Sequence, residues 1–307
     1  MKKRKQKEQD ILRIEQNSAV LHEQVEIELD ELASTPKRRR IWEVDFLRGL
    51  MILFVVWDHL MWDFAYFGNN GGFSTEVFKR LYDFASSYQN GVLRATTHDT
   101  FVAMFVLTSG ISCSFSRSNG KRAIKMIIFA CLLTAGTSAV TAITNSNFTI
   151  RFNVIHAIAL STLLWTLIEF CWSKCSRNWQ KNIFGWCMAA TLITVLVVGY
   201  SAKVSPWTNE NPVWFFIAQH NTGKVTAYRK FIGGDYLPFF PAFGWFLLGA
   251  FLGRIFYRER KTMFPSVNHK YLCPVTFCGR HSLWVYFGSQ IVMYGLIYLF
   301  SVVFGIL

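Results

Sequence analysis

The stretch "FLRGLMILFVVWDHLMWDF" runs from Phe46 to Phe64 and is built almost wholly of Leu, Met, Ile, Phe, Val and Trp. That composition suits hydrocarbon, and the length is right for a helix crossing it, which needs about 20 apolar residues. Yet the run also carries Asp58, His59 and Asp63. An Asp facing lipid costs roughly 2.5–3.5 kcal/mol on insertion scales, so such groups face a protein interior and are candidates for function. His59 and Asp63 are one helical turn apart and share a face, whereas Asp58 points elsewhere.

Working outward, further long apolar blocks follow, and with the first they make about seven segments, near 46–66, 99–116, 123–144, 152–172, 182–201, 237–257 and 281–305. The chain has 307 residues, 52% of them hydrophobic, with a mean hydropathy of +0.25. Together these predict an all-α, polytopic membrane bundle of about seven transmembrane helices rather than a soluble domain. The first block lies too far from the start, and is too long, for a removable signal. The seven cysteines form no metal-type C-x-x-C pair and read as small apolar fillers. No metal site is predicted.

The formal net charge is +13. In a membrane chain, basic connections mark the cytoplasmic side, and no nucleic-acid partner is needed to explain them. "SRSNGKR" (116–122), the 173–181 connection and 258–280 are basic, as is the N-terminal segment with "MKKRKQK" and "KRRR". They alternate with 144–151 and the longer loops 67–98 and 202–236. The N-terminus is therefore expected in the cytoplasm. Residues 1–40 form a separate charged tail, partly disordered or a short helix, ahead of a transmembrane domain over 41–307. The expected setting is an integral, multi-pass protein of the cell (inner) membrane, with lipids as partners and the oligomeric state open.

This orientation gives each polar residue a depth. His59 falls roughly 20 Å from the cytoplasmic end of its helix, and His156 about 6 Å inside the outer edge of another. Asp99 and Asp235 fall at the outer mouths of two more. Proton-handling groups thus gather in one outer layer, where Asp63 is expected to orient the His59 imidazole. The cytoplasmic edge carries Arg48, Arg117, Arg122, Arg254, Arg280 and His281, and guanidinium forks suit phosphate. Snorkelling anchors are the plainer reading of any one of them. Glu169, near the same edge, reads as reaching water. Gly244, Gly249 and Gly253 read as close-packing points between helices.

Five stretches in order resemble a known family. "EVDFLRGLMILFVVWDHLMWDF" (43–64), "FVAMFVLTSGISCSFS" (101–116), "FNVIHAIALSTLL" (152–164), "DYLPFFPAFGWFLLGAFLGR" (235–254) and "CGRHSLWVYFGSQIV" (278–292) resemble the heparan-alpha-glucosaminide N-acetyltransferase catalytic domain family, and more closely its bacterial relatives. The resemblance implies a transmembrane acyltransferase that moves acetyl from cytosolic acetyl-CoA to a glycan-type or other small polar acceptor across the membrane. Asp45, Arg48, Gly49, His59, Asp63, Asp99, His156, Asp235, Arg280, His281 and Ser282 fall on its pattern. The mammalian enzyme has Asn at the position of His59 and a histidine at that of Asn70, so an acyl-histidine there does not carry over.

The residues and the resemblance together give His59, Asp63 and His156 as catalytic candidates. Asp99 and Asp235 are candidates for holding the acceptor, and Arg48, Arg280 and His281 for the acyl-CoA donor. The rival readings are a proton-coupled small-molecule transporter, which also needs buried Asp and His, and a non-catalytic membrane scaffold. Binding of acetyl-CoA separates the first reading from both.

Overall fold

The computed structural model describes residues 41–69, 76–116, 118–144, 149–175, 235–257, 260–267 and 269–303, with isolated positions between 177 and 193. Among these, the structure is helical, without strands. The helices are α1 (Trp42–Asn69), α2 (Glu76–Gln89), α3 (Val92–Cys113), α4 (Asn119–Thr144), α5 (Val154–Lys174), α6 (Phe239–Phe256), α7 (Cys273–Arg280) and α8 (Ser282–Val303). The chain divides into two units, Met1–Arg40 and Ile41–Leu307. The tail, the expected span 182–201 apart from isolated positions, and nearly all of the loop 202–236 lie outside the described residues.

Four of the described helices are long and apolar enough to cross a membrane: Asn119–Ile143, Val154–Lys174, Phe239–Phe256 and Ser282–Phe300. α1 and α3 match them in length, at 28 and 22 residues, but are too polar for that group. α1 carries the Asp58–His59–Asp63 set, and α3 opens with Arg94, His98 and Asp99.

Two expected loops are partly helical. "EVFKRLYDFASSYQ" within 67–98 forms α2, whose Ala85 is buried against Met61 and Ala65 of α1. α3 starts at Val92, seven residues ahead of the expected 99. The basic connection 258–280 contains α7, with a proline in its first turn, where a missing N–H costs no helical bond.

Helix direction alternates. On α1 and α3, Asp58 meets Arg94 while Arg48 meets Thr108 and Ser112, so the two are antiparallel. Thr134 of α4 meets His156 of α5, and Asn119 meets Glu169, so these are antiparallel as well. α3, α5 and α6 begin at one end of the bundle, here called the histidine end. α1, α4, α7 and α8 begin near the other, the arginine end.

Within a bilayer, neighbouring helices gain little from hydrophobic burial and associate through close packing at small residues. The described bundle does this twice. A methyl at Gly110 of α3 would collide with the Phe246 carbonyl of α6, and one at Gly249 with that of Leu107. Gly253 meets Ser114 and Ile111 in the same seam. At the second crossing, a methyl at Gly49 of α1 would strike the Val275 carbonyl of α7, and one at Gly279 the Asp45 carbonyl. The α6 glycines were expected from spacing. The reciprocal Gly49–Gly279 contact joins residues too distant in the chain for spacing to reveal it. The resulting core holds Ile52, Val106, Ile158, Trp165, Phe246 and Leu247.

Candidate active site

At the histidine end, α1, α3, α5, α6 and α8 bring ionisable and polar side chains together. His59 sits on α1 with 18% of its side chain exposed, and its Nε2 lies 3.8 Å from Oδ1 of Asp235, just ahead of α6. Sequence reasoning gave this place to Asp63. Asp63 is buried on the same face of α1, but its Oδ2 has no hydrogen-bond partner among the described residues, and neither does His59 Nδ1. Two groups on one helix are held at a fixed offset along it. Asp235 approaches from across the bundle and closes on the ring nitrogen that faces the interior.

Asp235 itself is held from two other sides. Tyr286 of α8 donates its hydroxyl to Asp235 Oδ2 at 2.6 Å, and Asn153 Nδ2 donates to the same oxygen at 3.2 Å and to Tyr286 Oη at 2.9 Å. Loss of water around the Asp235 carboxyl opposes its charge, but the contacts with His59, Tyr286 and Asn153 outweigh this and hold it below the ordinary carboxylate range. Its backbone is left-handed, with φ of 55°, a conformation Asp tolerates better than most residues. The Tyr286 ring meets the His59 ring edge-on, with centroids 5.6 Å apart.

His156 takes a different place. Asn153 is the N-cap of α5, accepting from the backbone N–H groups of Ile155 and His156, while the His156 ring reaches back to the Asn153 backbone N–H. That is a reciprocal capping box with histidine in the position usually taken by Glu or Gln. His156 Nε2 also lies 3.0 Å from the Thr134 hydroxyl. Both ring nitrogens are thus engaged in holding the start of α5 against α4.

Asp58, which was expected to point away from His59, receives a two-pronged bond from Arg94 at 2.7 and 3.0 Å. His98 stands 3.7 Å from Asp58 and 3.5 Å from Asp99. Asp99 is half-buried at the edge of this group, with 42% of its side chain exposed.

A small cavity opens between these groups, with Ile52, Val55, Phe105 and Val154 on its apolar wall and Asp58, His59, Asp235 and Tyr286 on its polar one. It measures about 40 Å³, room for about three waters.

At the arginine end, Arg280 Nε donates to Asp45 Oδ2 at 3.3 Å. Arg254 pairs with Glu169 at 3.4 Å and lies over the Trp165 ring. Glu169, expected merely to reach water, also accepts from Asn119 at 2.7 Å. Arg48 donates to the Thr108 carbonyl at 3.3 Å and to the Ser112 hydroxyl. Arg122 donates to the Ser109 carbonyl. Arg48 and Arg122 thus hold carbonyls near the end of α3. Arg280 and His281 are the exposed members, and the His281 ring packs on Phe277. Arg117 lies outside the described residues.

The residues missed from sequence are Asn153, Tyr286, Arg94 and His98. Asn153 had a signal, since an Asn followed three places later by a side chain able to bond back marks a helix start. Tyr286 had none; it is one aromatic in an apolar run.

A five-helix site with a histidine–aspartate pair at its centre lies at one end of a bundle that holds four helices apolar enough to cross a membrane. Over residues 40–291 the chain matches the family described as heparan-alpha-glucosaminide N-acetyltransferase, catalytic, and it belongs to that family. Membership implies a transmembrane acetyltransferase, in keeping with the four apolar helices. No curated protein and no solved structure matches the chain.

Proposed function

We propose that the protein transfers an acetyl or similarly short acyl group from cytosolic acyl-CoA to a hydroxyl or amine of a glycan-type acceptor on the far side of the membrane, with His59 as general base. The observation that carries this is the His59–Asp235 pair on the wall of a small, part-apolar cavity, in a chain of an acetyltransferase family. Acetyl-CoA supplies an activated thioester. His59 takes the proton of the attacking O–H or N–H as the new C–O or C–N bond forms. The C–S bond breaks, and the proton passes from the imidazolium to the departing thiolate. Such a base contributes about 10²–10⁴-fold. Asp235 holds the ring and steadies its charge. A cavity of about 40 Å³ suits a short acyl group, with the acceptor ring at its mouth.

Donor recognition divides between the expected residues. Arg280 and His281 are exposed and suit the approach of a phosphate. Arg48 is turned to α3 and suits a structural part. Asp99 is half-buried at the histidine end and suits a polar acceptor. His156, committed to the cap of α5, shapes the site without entering the reaction.

The test is transfer of labelled acetyl from acetyl-CoA to sugar acceptors by membranes containing the protein or His59→Ala. Wild-type transfer with a loss of at least about 10²-fold in the variant is expected. Undiminished transfer by His59→Ala ends the assignment. The absence of both transfer and acetyl-CoA binding in the wild type ends the reading as an enzyme.

A further inference from the structure

We propose that Asn153 and Tyr286 are positioning residues that clamp Asp235 onto His59, so that the N-cap of α5 sets the direction of the acid facing the histidine. The kinetic consequence rests on His59 acting as base; the clamp itself does not.

The N-cap orients the amide of Asn153, whose Oδ1 also lies 2.9 Å from His156 Nδ1. That Oδ1 accepts from the N–H groups of Ile155 at 3.1 Å and His156 at 3.5 Å, the ordinary work of an N-cap. The Nδ2 hydrogens must then point the other way, toward Tyr286 Oη and Asp235 Oδ2. With that donor on its oxygen, the Tyr286 hydroxyl turns its own hydrogen to Asp235 Oδ2. Both donors fall on Oδ2, and Oδ1 is left facing His59.

Capping alone does not explain this arrangement. A Ser or Asp oxygen caps a helix as well as Asn does, so the NH₂ group is surplus to the cap. Asn153 is fully buried and Tyr286 nearly so. Polar groups at such depth are costly unless satisfied, and a fully satisfied network fixes one geometry. What it fixes here is a carboxylate on a left-handed residue, a backbone state that persists where its surroundings over-determine it.

Asn153→Ser separates the two roles, because Ser keeps the capping oxygen and loses the amide donors. Tyr286→Phe removes only the hydroxyl. In the full-length protein, the rate at which diethyl pyrocarbonate modifies His59 is followed across pH by peptide mass spectrometry; the reagent attacks neutral imidazole. Without its donors, Asp235 binds a proton more readily and loosens from His59, which then loses its own proton more readily. The midpoint of modification is expected at lower pH in both variants, with thermal stability close to wild type in Asn153→Ser. In the transfer assay, kcat falls about 10- to 100-fold with KM little changed, as for a slight misplacement. An unmoved midpoint in both variants, or loss of folding in both, overturns the clamp. A wild type that transfers no acetyl ends the proposed activity and leaves the titration result standing.

Discussion

The two ends of the bundle use the same kinds of side chain differently. At the arginine end, four of the described guanidinium groups already have partners within the fold. Arg280 has Asp45, Arg254 has Glu169, and Arg48 and Arg122 hold carbonyls of α3. At the histidine end, Arg94 closes on Asp58, and Tyr286 and Asn153 hold Asp235, but His59 and Asp63 share a deficit. One carboxylate oxygen and one ring nitrogen have no partner among the described residues, and a cavity touches His59. Satisfied pairs tie helices together, whereas unsatisfied ionisable groups beside a cavity are where an incoming proton or substrate changes the energy. A count of charges at each end ranks the arginine end higher as a ligand site; the bonding of those charges reverses the ranking.

Breaking the arginine end should therefore show first as lost fold. Gly279→Val places a branched side chain against the Asp45 carbonyl, where α1 and α7 touch backbone to backbone. Neither partner is a flexible side chain that could give way. Overpacking usually costs about 1–3 kcal/mol, and more where backbone must move. The expected outcome is low yield of folded protein in membranes and a marked drop in thermal midpoint. A stable Gly279→Val protein would show that the crossing is looser than described.

Breaking the histidine end should show as lost rate with the fold kept. Asp235→Asn leaves an oxygen to accept from Tyr286 but removes the charge that steadies an imidazolium. A fall of about 10²-fold in kcat, with thermal midpoint little changed, is expected. Retention of full rate would shift the role of His59's partner to Asp63. Arg280→Ala tests an exposed guanidinium of the arginine end. It should raise KM for acetyl-CoA about tenfold, in line with the loss of a charged hydrogen bond of about 1.5 kcal/mol or more, and leave kcat alone. An unchanged KM would confine Arg280 to its bond with Asp45.

The helical, membrane-embedded class was legible because hydrocarbon imposes a composition that any reader of the chain meets. So was the gathering of acids and histidines toward one end, because a helix advances by a fixed rise per residue. Partner choice was not legible. His59 and Asp63 are four apart and periodicity proposes them, whereas nothing local links His59 to Asp235 or Asp45 to Arg280. α2 had a signal in Val77, Leu81, Phe84 and Tyr88, spaced as on one helix face, but the polar residues between them gave the segment the look of a loop. His156 carried two readings at once. An imidazole three places after an Asn completes a helix cap as readily as it takes a proton, and only the bonds to Asn153 and Thr134 distinguish them.

The smallest expected effect falls on Asp63, and it separates the two acids that face His59. Asp235 has three contacts on its carboxylate; Asp63 Oδ2 has none among the described residues, and the side chain is buried. A buried polar atom without a partner costs about 1–3 kcal/mol, and more when charged. Asp63→Asn keeps the shape and removes the charge. Part of the relief is offset, because the Asp63 charge attracts a protonated His59. The net expectation is a rise in thermal midpoint equivalent to about 1 kcal/mol, with acetyl transfer within a few-fold of wild type. Thermal unfolding and the transfer assay, run on the same membranes, read both. If the midpoint instead falls and the rate drops with it, Asp63 has a partner that its charge serves, and the contrast between a clamped acid and an idle one is lost.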